Sequence, residues 1–241
     1  MSKTQKLLTN QKSAAKLKKN DSTTKEYLSY ILYLAPSNLV SGINVCPAAT
    51  AGCRTSCLYT AGRGRFSRVQ MARKKKTTWF RDKRESFIHN LVREVDNGIK
   101  LAEKHGKTAA FRLNGTSDID WETEIRAYYP FFYEEREDAI FYEYTKRPDL
   151  VRRRSPIQFT FSRSEANHNV TMGILRDTST NIAIVFEKMP DLWFGRRVID
   201  GDKHDMRFID PANVVVGLLP KGDAKKDKSG FVLRNEVVLC S

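Results

Sequence analysis

The chain has 241 residues, a formal net charge of +14 and four cysteines. That length suits one large domain or two small ones with a sizeable core, and the charge favours an acidic partner, nucleic acid first. No apolar run is long enough to span a bilayer and no signal-peptide core is present, so a cytoplasmic, reducing setting is expected, in which clustered cysteines serve as metal ligands or redox groups rather than disulfides.

Residues 1–26 are basic and polar and predict a flexible N-terminal arm, followed by a single domain over 27–241. "EYLSYILYLAP" is β-branched and aromatic and stops at Pro36, as a strand would. A cysteine loop over 44–57 follows it. "RFSRVQMARKKKTTWFRDKRESFIHNLVREVDNGIKLAEKHG" carries apolar residues at helical spacing and ends on Gly106, which predicts two helices. Five further apolar runs then recur, "TAAFRLNGTSD", "DAIFYEYTKRPD", "SPIQFTFSRSE", "TNIAIVFEKMPD" and "NVVVGLLPKGD", with helix-like segments between them. Six strands alternating with helices imply parallel pairing through crossovers. The expected fold is α/β, a partial or complete (β/α) barrel of the TIM type with about six parallel strands. Its active site would lie at the C-terminal strand ends, where Glu143, Tyr144, Lys146, Ser162 and Arg163 would line the mouth.

The loop "NVCPAATAGCRTSC" places Cys46, Cys53 and Cys57 in C-x6-C-x3-C spacing, and Cys240 stands next to the C-terminus. Thiolates this close in sequence can converge on one metal centre if the loop curls, which Pro47, Gly52 and the neighbouring alanines permit. Zinc would need a fourth ligand, such as Cys240, in a closed tetrahedral site. An iron–sulfur cluster could take four cysteines, or take three and leave one iron open.

With three cysteines directly after the first strand of a β/α chain, the layout resembles the radical S-adenosylmethionine enzymes over residues 27–222. That resemblance implies a [4Fe-4S] cluster on Cys46, Cys53 and Cys57, whose open iron binds the amino and carboxylate groups of S-adenosylmethionine. The end of the second predicted strand, Asn114, Gly115, Thr116, Ser117 and Asp118, matches the family's cofactor-contacting segment. The spacing departs from the family's usual C-x3-C-x2-C, and its Gly-Gly-Glu is absent. The sequence also resembles a group of bacteriophage proteins. The shared features are Cys46-Pro47 with the later cysteines, the Arg112–Asp118 strand end and the Tyr142–Thr145 strand. This second resemblance implies phage origin, hence a host-cell cytoplasm, and no particular activity.

Two other groupings carry chemistry. "DGDKHDMRFIDP" gathers Asp200, Asp202 and His204, residue types that bind divalent ions in metal-assisted phosphodiester cleavage. It reads equally as a polar turn. The stretch from Arg63 to Arg84 holds ten basic residues and one acid. Arg63, Arg65, Arg68, Arg73, Lys74, Lys75 and Lys76 are its candidates for phosphate contact, and Phe66, Trp79 and Phe80 are core residues or stacking platforms. The leading expectation is a phage-type iron–sulfur enzyme, radical S-adenosylmethionine-like, acting on or near nucleic acid. The alternatives are a nucleic-acid-binding or host-interaction protein with a structural zinc on four cysteines, and a metal-dependent nuclease.

Overall fold

All six apolar runs form strands, and four further strands join them. The computed structural model describes residues 5–10 and 25–234. Its strands are β1 (Leu8–Asn10), β2 (Tyr27–Leu32), β3 (Thr108–Arg112), β4 (Ile140–Thr145) and β5 (Ile157–Ser162), then β6 (Ile182–Phe186), β7 (Leu192–Trp193), β8 (Arg196–Asp200), β9 (Val215–Leu218) and β10 (Val232–Leu233). The helices are α1 (Ala51–Thr55), α2 (Ser67–Asp82), α3 (Arg84–Lys104), α4 (Trp121–Arg126), α5 (Pro148–Arg152) and α6 (His168–Asp177). The strands form one sheet in the order β1-β2-β3-β4-β5-β6-β9-β8-β7, with β10 also on β6. Pairing is parallel from β2 through β8, and antiparallel only where β1 meets β2 and β7 meets β8. The fold is thus mixed α/β with ten strands rather than about six. Among the described residues the pairing is an open path, with no ladder joining β1 to β7.

Two faces follow from strand alternation. Tyr30, Phe111 and Phe141 stack on one another across β2, β3 and β4, with ring centroids 5.1 and 5.4 Å apart. They meet α3, which buries Phe87, Ile88, Leu91, Val92 and Val95 at helical spacing. A β-carbon on Gly98 would come within 3.1 Å of the Phe111 ring, so glycine permits this close approach. On the opposite face the connection between β8 and β9 crosses the sheet. Its Phe208 packs edge-on against Tyr27 of β2 and Tyr142 of β4, at 4.9 and 5.1 Å.

The arm differs from expectation where it is described. Leu7 and Leu8 are buried, and their backbone N–H groups both donate to Glu94 at 2.8 Å. Lys76 donates to the Leu7 carbonyl, so it is a clasp on this strand and not a surface cation. Burial pushes its ammonium down to about 8. The remainder of the predicted arm, residues 1–4 and 11–24, lies outside the described residues. No helix of the described residues is long and apolar enough to cross a membrane.

Candidate functional site

A cavity of about 480 Å³ opens at the C-terminal ends of the parallel strands. Five successive strands supply its floor on one face of the sheet: Arg112 of β3, Tyr144 of β4, Ser162 of β5, Ala183 and Val185 of β6, and Leu218 of β9. The cysteine loop closes it, with Cys46, Cys53 and Cys57 all in its wall. Residues far apart in sequence, Lys146, Arg163 and the Asn114–Asp118 segment, complete the lining.

The loop is anchored at several points. Asp118 donates its backbone N–H to the Val45 carbonyl at 2.8 Å, and the Cys46 thiol lies 3.6 Å from the Thr116 carbonyl. Thr50 caps α1 by accepting from the Cys53 N–H at 3.2 Å. Glu165, just beyond β5, accepts from the Thr50 hydroxyl at 2.8 Å and the Gly52 N–H at 2.7 Å. A side chain on Gly52 would collide with Glu165 and Ser229. Glu165 is the last residue of the run "SPIQFTFSRSE", one polar residue among several beyond that strand. Its anchoring role depends on a partner 113 residues away, which no local pattern signals.

The three thiols share one electrostatic environment. Burial pushes Cys46 up to about 12, opposed by the Ser37 N–H and reinforced by Asp118, Cys57 and Cys53. Burial likewise raises Cys57; the Tyr59 N–H, Lys146 and Arg73 oppose that shift, while Cys53 adds to it. Lys146 hydrogen-bonds Cys53, and although burial disfavours its ammonium, Cys53, Asp118 and Cys46 hold its titration above the ordinary lysine value. The Arg73 guanidinium lies over the rings of Tyr33 and Tyr59, at 4.7 and 5.6 Å. It is half-buried beside Cys57 rather than fully exposed. Among the described residues no three His, Cys, Asp or Glu side chains are grouped to hold a single metal ion. Cys240 lies outside the described residues.

The polar side chains of the predicted cofactor segment hold partners within the protein. The Asn114 amide oxygen accepts from the Ser117 hydroxyl, the Ile119 N–H and Trp121 Nε1, at 2.8, 3.0 and 3.0 Å. Asn114 and Ser117 therefore build the turn. Gly115 is needed there because a β-carbon would stand 2.6 Å from the Leu32 carbonyl oxygen. Asp118 accepts from the Thr145 hydroxyl at 2.7 Å and the Lys146 N–H at 3.0 Å, and burial raises its carboxyl.

A family model described as Gene product 88 matches residues 5–235. The chain belongs to the Gene product 88 family. This supports the resemblance to a group of bacteriophage proteins. Neither the curated proteins nor the solved structures provide a match.

Several expected residues of this Gene product 88 chain stand elsewhere. Glu143 alternates to the helix-covered face and does not line the cavity, because Tyr142 and Tyr144 take the other side of β4. Its carboxyl accepts from the Leu113 N–H at 2.6 Å and the Asn114 N–H at 2.9 Å, fixing the end of β3. Burial pushes that carboxyl up to about 8, against the opposing pull of Arg112 and the two N–H groups. The folded state therefore holds this proton more tightly than the unfolded chain. Its contribution to stability is complete below the ordinary glutamate range and is lost as pH rises through about 8. Urea denaturation of the parent protein should show stability falling from pH 5 to pH 9, with a flatter profile for Glu143→Gln. Parallel profiles would contradict this assignment.

Asp200, Asp202 and His204 do not assemble a metal site among the described residues. Asp202 is engaged by the Leu219 N–H at 3.0 Å and by Lys221. His204 turns toward Arg207 and Asp210, and burial together with Arg207 lowers its titration. Arg163 is also structural in part: it donates to the Gly230 and Phe231 carbonyls at 2.6 and 3.2 Å, holding the chain before β10.

Proposed function

We propose that the chain is an iron–sulfur enzyme of bacteriophage type, resembling the radical S-adenosylmethionine enzymes and acting on or near nucleic acid. The observation that carries this reading is the shared cavity, in which three cysteines from one loop face the ends of five parallel strands. Its volume lies within the range of about 300–1,000 Å³ typical of small-molecule sites.

Three cysteines on one cavity wall are read as the ligands of a cluster, with zinc on four cysteines as the alternative. A cluster is a larger body, gripped by thiolates spread around it. Burying three thiolates together is costly, as the raised Cys46 and Cys57 indicate, and a cationic core would remove that cost. Cys46, Cys53 and Cys57 would hold the cluster, which, once reduced by a one-electron donor, would supply reductive cleavage of S-adenosylmethionine. Lys146 places a positive charge beside Cys53 and offsets the excess negative charge of three thiolates. Thr145 and the Lys146 N–H fix Asp118 at the cavity edge, and Glu165 keeps the loop from opening.

The test is the electron paramagnetic resonance spectrum of anaerobically reconstituted, reduced protein. Addition of S-adenosylmethionine should change the signal, as binding at an open iron requires. An unchanged signal would mean a closed site and overturn the enzymatic reading.

A further inference from the structure

The cavity mouth has a marked charge asymmetry. From Tyr27 to Arg81 the chain contains nine lysines and arginines and no Asp or Glu. This stretch includes the cysteine loop, the mouth-lining residues Leu58–Thr60, the turn Gly62–Arg65 and nearly all of α2. Two acids that meet it near the cavity, Glu165 and Asp118, are held by the hydrogen bonds described above. Arg63, Arg65 and Arg68 are exposed, as are Lys74 and Lys75 further along α2.

The aromatic residues of this stretch separate into two kinds. Trp79 and Phe80 pack against Phe87 in the core. Phe66, between Arg65 and Arg68, is 52% exposed, and Leu58 on the cavity wall is 44% exposed. The exposed Phe66 ring stands among arginines, where a base laid on its face would cover it.

We propose that the face carrying Arg63, Arg65, Phe66 and Arg68 is a docking surface for a single-stranded nucleic acid. Phe66 stacks on an unpaired base, the arginines contact backbone phosphates, and a neighbouring nucleotide is directed to the cavity. Charge complementarity selects a polyanion, and the exposed ring selects one whose base faces are open. A duplex hides those faces, and a base can enter a pocket only when it has left the stack. The inference rests on the nucleic-acid part of the proposed function but not on the cluster.

Fluorescence anisotropy of the full chain, purified without added iron, tests it with a short labelled oligothymidylate. The comparison ligands are the same strand paired with oligoadenylate, and vesicles rich in phosphatidylserine. The single strand should bind more tightly than the duplex or the vesicles. Phe66→Ala should weaken single-strand binding roughly tenfold and leave duplex binding unchanged. Joint reversal of Arg63, Arg65 and Arg68 to glutamate should flatten the log–log salt dependence by about 2. Preference for duplex or vesicle, or no effect of Phe66→Ala, would overturn the proposal. Because the assay uses the iron-free chain, such a failure leaves the cluster reading standing, and a failure of the cluster leaves this result standing.

Discussion

Replacing Asp205 by alanine is expected to cost about 3–5 kcal/mol of folding stability. Asp205 is fully buried in the connection between β8 and β9, and it pairs with Arg112, which is 4% exposed at the end of β3. Without its partner the guanidinium would be left charged in an apolar setting, and a buried unpaired ion is among the costliest defects a core can carry. Arg112 also donates to the Gly115 carbonyl at 3.2 Å and lies 5.0 Å from the Tyr144 ring centre. The pair therefore braces both the turn at Gly115 and the cavity floor. Urea denaturation measures the effect. Asp205→Asn should fall between the parent and Asp205→Ala, since it keeps a hydrogen-bond acceptor but not the charge. The double variant Arg112→Met, Asp205→Leu should recover much of the loss, because it removes both charges and fills the space. A loss under about 1 kcal/mol for Asp205→Ala would mean that the pair is solvated like a surface bridge.

Much of the layered architecture was legible because it rests on local pattern. The runs around Tyr30, Phe111, Tyr142, Phe161, Ile184 and Val216 are β-branched and aromatic, and each became a strand. Gly106, with φ of 61°, follows α3 as its helical period implied. The four further strands were not legible. β7 and β10 have two residues each, too few to show alternation, and β8 leads with two arginines. β1 pairs with β2, and its approach is held by Glu94 and Lys76, far along the chain, at Leu7 and Leu8.

The site shows the same division. The cysteine loop and the strand ends do share one cavity, because parallel strands after crossovers all end on one side. Glu143 and Tyr144 were both assigned to the mouth, yet adjacent strand residues face opposite ways, and only Tyr144 lines the cavity. Lys76 sits within a run of four cations, but the helix turns it inward while Lys74 and Lys75 stay outside. In both places periodicity carried the answer and composition obscured it.

The largest functional effect is expected at the cysteines. On the proposed reading, alanine at Cys46, Cys53 or Cys57 would remove a cluster ligand and leave two thiolates, too few to retain the iron–sulfur core. Cys53 is the most informative of the three, because its thiol pairs with Lys146 while its N–H caps α1 on Thr50. Cys53→Ala keeps that N–H, so the loop's local structure should survive the loss of the metal centre. Cys240→Ala separates the two kinds of site: a cluster on three cysteines with an open iron does not need it, whereas a closed four-cysteine site does. The deciding measurement is the iron and sulfide content of anaerobically reconstituted protein, read with its visible absorption. The account predicts a brown protein with about four irons per chain for the parent and for Cys240→Ala, and a colourless one for Cys53→Ala. A colourless parent carrying one zinc per chain, lost in Cys240→Ala, would contradict it.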